Sequence, residues 1–148
     1  MFDIFAANRI KMRKIEHIGI AVSDLSKANA LFSLLLNKVP YKTEVVQSEA
    51  VTTSFFQLGE TKIELLEANA ENSAIAKFIE KRGVGMHHIA IDVENIVHEM
   101  ARLKLAGFQF INDEPKKGAD GKLIAFLHPK STGGVLVELC QDIEIQLI

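Results

Sequence analysis

His17 and His88 stand 71 residues apart, and Glu64 and Glu138 stand 74 apart. Each pair sits in matching local sequence. EHIGIAVSDL (16–25) resembles HHIAIDVENI (87–96), and KIELLE (62–67) answers VLVELC (135–140). A carboxylate set among apolar strand residues is uncommon in an interior, because burying it unpaired is costly. Two imidazoles and two carboxylates together make a mixed nitrogen and oxygen donor set. Such a set suits Co²⁺, Mn²⁺, Ni²⁺, Zn²⁺ or Fe²⁺ rather than a metal selected by thiolates. Closed structural zinc sites usually use cysteines, and the single Cys140 is not placed for one. Octahedral coordination by these four groups leaves two adjacent positions, which a substrate with two oxygens could take. The metal would then act as a Lewis acid for an enolate formed by proton loss next to a carbonyl. The competing structural reading is two buried His–Glu pairs. That satisfies the charges but does not explain the small residues Gly19, Ala21 and Ala90 beside the histidines, which leave room for something other than protein.

The elements that must position these groups follow from hydrophobic periodicity. Side chains alternate along a strand, so His17, Gly19 and Ala21 share one face and Ile18, Ile20 and Val22 the other. In the equivalent strand His88, Ala90 and Asp92 oppose Ile89, Ile91 and Val93, and His87 points away from His88. Each strand leads to a helix start, capped by Ser23 or Asp24 and by Glu94 or Asn95. Leu25, Ala28, Phe32, Leu35 and Leu36 recur at helical spacing, as do Ile96, Met100 and Leu103 before a stop at Gly107. Strands are expected at 15–22, 42–47, 51–58, 61–67, 87–93, 108–112, 123–127 and 135–140. NSAIAKFIEKRG (72–83) reads as a linking helix capped by Asn72 or Ser73 and ended by Gly83. The expected fold is α+β: two tandem βαβββ modules, about 15–67 and 87–141, forming a curved mixed sheet around a metal-containing cleft with helices outside. Residues 1–12 form an N-terminal extension, and 13–148 a single domain. Two copies are too few for a solenoid.

Composition narrows the class. The 148 residues suffice for one domain with a substantial core. A net charge of −2 without a dense Lys/Arg cluster argues against a nucleic-acid partner. One cysteine excludes an internal disulfide and fits a reducing compartment, so a cytoplasmic location is expected. No apolar run approaches the roughly 20 residues that span a bilayer. MFDIFAANRIKMRK lacks the pattern of a signal peptide.

EHIGIAVSDL, TKIELLEA, GMHHIAIDV and EPKKGADGKLIAFLHPKSTGGVLVELCQ, in that order, resemble the methylmalonyl-CoA epimerases of the vicinal-oxygen-chelate superfamily. The resemblance covers about residues 13–142, and the P-K-x-G-A-x-G…F-L-H-P-K…G-V-L-x-E-L run carries its specific part. It implies metal ligation by His17, Glu64, His88 and Glu138, with cobalt the first choice of divalent ion. It implies interconversion of the two C2 epimers of methylmalonyl-CoA, an acyl-CoA substrate. Glu138 is the leading base. Some epimerases carry another basic glutamate in the strand before the second ligand; alignment puts Thr53 there, which cannot serve. Glu49, nearby, reads as a solvated loop charge, so the second base is unassigned. His128 and Lys130 could meet the cofactor part of an acyl-CoA or simply form a turn. Lys116, Lys117 and Lys122 could attract its phosphates or serve solubility. His98 belongs to a solvated helix face. Glyoxalase I shares the ligand set, but HPKSTGGVLVEL leans to the epimerase. A fourth protein ligand at Glu64 argues against an extradiol dioxygenase, and a non-catalytic ligand-sequestering protein would need no base. The apolar helices and the C-terminal IEIQLI point to a homodimer.

Overall fold

In the computed structural model, which describes residues 12–143, the two repeats become the two halves of one eight-stranded sheet. The first half holds β1 (Met12–Val22), α1 (Leu25–Leu36), β2 (Lys42–Val46), β3 (Val51–Leu58) and β4 (Thr61–Ala68). After α2 (Ala74–Arg82) come β5 (Gly85–Val93), α3 (Ile96–Leu105), β6 (Lys116–Lys117), β7 (Lys122–Leu127) and β8 (Val137–Asp142). The strand order is β2-β3-β4-β1-β5-β8-β7-β6. β1 runs parallel to β4 and β5 parallel to β8, while β1 and β5 pair antiparallel at the seam. The repeat-related strands therefore lie side by side in the middle of the sheet, and each is flanked by the strand that carries its module's glutamate.

The helices start where their caps dictate. Asp24, Ser73 and Asn95 each accept a backbone N–H three residues on, satisfying donors that the first turn leaves free. α1 rests Leu25, Ala28, Phe32 and Leu36 on Ile20, Val22, Phe56 and Leu65. α3 packs Ile96, Met100 and Leu103 against Val93, Ala125 and Leu139. Of these helix side chains Leu25, Ile96, Met100 and Leu103 are buried, each contributing about 1.5–3 kcal/mol. His98 on α3 is exposed, while its neighbour Glu99 is buried and paired with Arg102.

The structure corrects three expectations about the fold. α2 does not lie outside with the others. Its Ile75 packs with Ala21, Val51 and Leu66, the strand face that also carries His17 and Glu64, so α2 closes one side of the cleft. Residues 108–112 form no strand: Phe110 makes one isolated bridge to Leu127, and Phe108 and Phe110 pack on the α3 core instead. The apolar run there is used as a plug, and the edge strand of the second module is the short β6. Third, β8 begins at Val137 rather than at residue 135. The N-terminal extension through Lys11 and the C-terminal segment from Glu144 lie outside the described residues. Among the described residues, no helix is long and apolar enough to cross a membrane.

Candidate metal centre and its cavity

β1, β4, β5 and β8 are adjacent in the sheet, and each delivers one of the four singled-out side chains to a common point. His17 Nε2 lies 3.0 Å from His88 Nε2. It lies 3.1 Å from Glu64 Oε2 and 3.7 Å from Glu138 Oε1. His88 Nε2 is 3.5 Å from Glu64 Oε2 and 3.3 Å from Glu138 Oε2. All four residues are buried.

The β1–β5 register shifts at three places, and two of them bear on the site. The register passes from Ile15↔Ile91 to His17↔Ala90, leaving Glu16 as an extra residue on β1. It passes from Gly19↔His88 to Ile20↔Met86, leaving His87 as an extra residue on β5. A bulge re-aims the side chains around it, so Glu16 and His87 turn to the same cavity as the histidines that follow them. Glu16 Oε1 is 3.1 Å from His17 Nδ1, and His87 Nδ1 is 2.9 Å from His88 Nδ1. With Nε2 of each inner ring serving as a lone-pair donor, Nδ1–H of His17 donates to Glu16 and Nδ1–H of His88 donates to His87. Such a contact fixes the tautomer and the ring plane. The expectation that His87 faces away from His88 is thus corrected by the bulge, and Glu16 was missed for the same reason.

The small residues beside the histidines also have a different use from the one expected. Gly19 sits opposite His88, and Ala90 opposite His17. A Cβ on Gly19 would overlap the His88 ring, 2.6 Å from its Nε2 and closer to Cε1 and Nδ1. The space next to each histidine is therefore filled by the other module's imidazole.

Thr53 is fully buried and its hydroxyl donates to Glu64 Oε1 at 2.9 Å. Among the described residues Glu138 has no comparable donor. The two carboxylates diverge accordingly. Burial opposes charge on Glu64, but hydrogen bonds from His17 and His88 and their charges hold its carboxyl well below the usual range. Burial dominates at Glu138 and pushes its carboxyl up. Burial also opposes charge on His17, yet hydrogen bonds to Glu16 and Glu64 and the nearby carboxylates carry it up to about 10. His87, disfavoured by burial and by His88, is pushed down to about 4.

The arrangement fits a divalent cation. Two imidazole nitrogens and two carboxylates face one point, and three of the four groups are oriented from behind by Glu16, His87 and Thr53. His17, His88 and Glu138 each offer a donor atom within 4.8 Å of the others. Cys140, expected to stand apart, is buried on β8 and makes a similarly compact group with Glu16 and His17. Its Sγ is directed at the Ile91 carbonyl, 3.5 Å away.

The cluster opens into a cavity of about 220 Å³ with walls that include Val51, Phe55, Leu66, Ile75, Ile111 and Phe126. Glu49, read from sequence as a solvated charge, lines this cavity beside Lys116, its ion-pair partner. The reason lies in the turn Gln47–Glu49 before β3, closed by Ala50 at φ 52, which folds Glu49 back toward the sheet. Lys122 also lines the cavity, paired with Asp142, while Lys117 does not. His128 and Lys130 lie outside the cavity wall. His128 Nδ1 accepts the Lys130 backbone N–H at 3.1 Å and so caps its own turn.

Comparison with known proteins agrees with this architecture. The sequence model of the Glyoxalase/Bleomycin resistance protein/Dioxygenase superfamily matches residues 16–126. An uncharacterized Bacillus subtilis protein, YqjC, is 38% identical over 130 residues, covering 88% of this chain and 93% of its own. The mitochondrial methylmalonyl-CoA epimerase of Homo sapiens is 42% identical over 129 residues, covering 86% of this chain and 73% of that protein. A Streptomyces coelicolor methylmalonyl-CoA epimerase, solved with 2-nitronate-propionyl-CoA, superposes with a TM-score of 0.87 at 32% identity, covering 91% of this chain and 98% of that one. With the superfamily matched over most of its length and its relatives over nearly nine-tenths of it, the chain belongs to the glyoxalase/bleomycin resistance protein/dioxygenase superfamily, in its methylmalonyl-CoA epimerase family.

Proposed function

We propose that this chain is a metal-dependent isomerase that interconverts the C2 epimers of methylmalonyl-CoA. The observation that carries the reading is the meeting of His17, Glu64, His88 and Glu138 from two modules at the head of an apolar cavity, with Glu49 on its wall. The names of relatives at about two-fifths identity support the substrate. The four side chains would hold one divalent ion, cobalt first and manganese, nickel, zinc or iron as alternatives. When bound, that ion would supply Lewis-acid stabilisation of the negative charge that grows on the carbonyl oxygen as C2 loses its proton.

Glu138 is the proposed base. It is the cluster carboxylate without a hydroxyl donor behind it, and burial raises its proton affinity, which suits a group that must accept and release a proton. Glu64, tied to Thr53 and held ionised, is the proposed spectator ligand. Glu49 is the proposed second acid and base. It lines the cavity with its Oε1 against the Lys116 ammonium, and it comes from the other module. A proton taken from C2 by one carboxylate and returned by the other on the opposite face inverts the centre with no net change in atoms or charge.

An acyl-CoA is longer than the cavity, so its nucleotide end would extend beyond the wall. His128 and Lys130, in the turn before β8, are the proposed contacts there. A homodimer in the cytoplasm belongs to the same proposal, since Leu31, Leu34, Leu35 and Val39 expose apolar surface on and after α1 that a second copy would cover.

The test is to supply one epimer of methylmalonyl-CoA to cobalt-reconstituted protein and follow the other by chiral separation, with the glutathione hemithioacetal of methylglyoxal run in parallel. Epimerisation without hemithioacetal turnover is expected. The reverse outcome replaces the epimerase with a glyoxalase. Binding without turnover of either substrate would favour a sequestering protein.

A further inference from the structure

Glu16 does more than meet His17. Lys62 Nζ lies 3.0 Å from Glu16 Oε2 and 3.3 Å from Oε1. The same ammonium is 2.7 Å from Asp120 Oδ2. Lys62 is the second residue of β4, two before Glu64, and therefore shares its face. Asp120 belongs to the other module, in the loop between β6 and β7, where Gly118, Ala119 and Asp120 line the cavity.

That loop is fastened to the first module largely through one carboxylate. Besides Lys62, Asp120 accepts from the Tyr41 hydroxyl at 2.9 Å and from Lys42 Nζ at 3.3 Å. Its own N–H donates to Glu44 Oε2 at 2.8 Å. Asp120 holds φ at 57, a left-handed conformation that aspartate tolerates better than most residues. At the other end of the loop Lys116 pairs with Glu49. The loop thus borders the cavity, and the cation that anchors it is also the nearer of the two that meet Glu16, Lys122 Nζ lying farther off at 3.9 Å from Oε2.

We infer that Asp120 and Lys62 are positioning residues, and that the chain Asp120–Lys62–Glu16–His17 couples the seating of the 116–121 loop to the orientation of the first metal-binding imidazole. The inference rests on the metal reading given above. An ammonium has three donors and can hold two carboxylates at once. With Asp120 in place, Lys62 is fixed in the geometry that aligns Glu16 with His17 Nδ1. Without it, Lys62 gains freedom, Glu16 follows, and the ring loses its support. Coupling of this kind is reciprocal, so metal binding tightens the loop by the factor with which the seated loop tightens metal binding.

The experiment measures Co²⁺ affinity by chelator competition for the full-length wild type, His17→Ala, Glu16→Gln, Lys62→Met, Lys62→Arg, Asp120→Asn and the Glu16→Gln/Asp120→Asn pair. Hydrogen exchange of residues 116–121 is followed with and without Co²⁺. Asp120→Asn and Lys62→Met should each weaken Co²⁺ binding about five- to ten-fold, and Lys62→Arg should restore most of the loss. On the Glu16→Gln background, Asp120→Asn should cost less than about two-fold more. Co²⁺ should slow exchange of the loop in the wild type and not in Glu16→Gln. Wild-type affinity in Asp120→Asn, losses that multiply in the double variant, or a loop indifferent to Co²⁺ would each overturn the coupling. If His17→Ala abolishes binding while Asp120→Asn leaves it intact, the coupling alone is wrong. If His17→Ala binds Co²⁺ as the wild type does, the metal reading falls and takes the coupling with it.

Discussion

Gly19→Ala adds one methyl group at the seam between the two modules. Position 19 lies in extended strand, so alanine there suffers no backbone penalty and in a strand is favoured over glycine by about 0.5–1 kcal/mol. The methyl nevertheless falls on the His88 ring, 2.6 Å from Nε2 and nearer to Cε1 and Nδ1, whereas ordinary contact begins at 3.4 Å. The ring must retreat by about 1 Å or more. Metal–ligand distances hold to about ±0.2 Å, so that retreat removes His88 as a ligand while the other three donors stay. We expect Co²⁺ affinity to fall by on the order of 10²-fold, near the upper end of what disturbing a ligand's support usually costs. The melting temperature of the metal-free protein should change little by comparison. A second arm isolates the cause: on a His88→Ala background the overlap no longer exists, so Gly19→Ala should have no further effect on metal binding. Wild-type Co²⁺ affinity in Gly19→Ala would refute the packing argument at the seam.

Thr53→Val removes the hydroxyl that holds Glu64 Oε1 at nearly constant volume; Co²⁺ affinity measured by competition should fall about 10-fold or more. A chelator should lower the melting temperature and added Co²⁺ or Mn²⁺ restore it, because the ion joins both modules and binds only the native state; an unchanged melting curve for fully stripped protein contradicts this. Burial opposes charge on Asp120, but Lys62 and Tyr41 hold its carboxyl below the ordinary 3.8. Its contribution to stability is therefore complete above about pH 4 and lost as pH falls through the depressed value. Denaturant melts from pH 6 to pH 2 should show a shallower acid limb for Asp120→Asn than for the wild type.

Much of the architecture was legible because each element obeys its own periodicity. The repeat located β1 and β5, the caps Asp24, Ser73 and Asn95 located the helices, and the glutamates in KIELLE and VLVELC located β4 and β8. What escaped was set by relations between distant strands. A bulge is a mismatch in register, and nothing in EHIGI or HHIAI by itself says that Glu16 and His87 are the extra residues. A signal was present all the same: both lie at equivalent places in the repeat, each directly before a histidine. Gly19 and Ala90 were read as leaving room for a ligand, and only the pairing across the seam shows an imidazole opposite each of them. Glu49 was assigned to solvent because its turn ends on Ala50 in a left-handed conformation, a position at which glycine or asparagine would have been the recognisable sign. Residues 108–112 had strand-like composition, but tertiary packing on α3 claimed Phe108 and Phe110.

The central proposal is that Glu138 exchanges the C2 proton of methylmalonyl-CoA at this site. The most direct measurement is deuterium incorporation at C2 in D₂O, read by mass spectrometry alongside the metal content of each sample. Cobalt-loaded wild type should label C2 while the two epimers equilibrate. Glu138→Gln should retain some metal, because the amide oxygen can still ligate, and should lose epimerisation, and exchange of the epimer whose proton Glu138 takes, by about 10²-fold or more. Full exchange in metal-loaded Glu138→Gln, or no exchange in the metal-loaded wild type, would contradict the account.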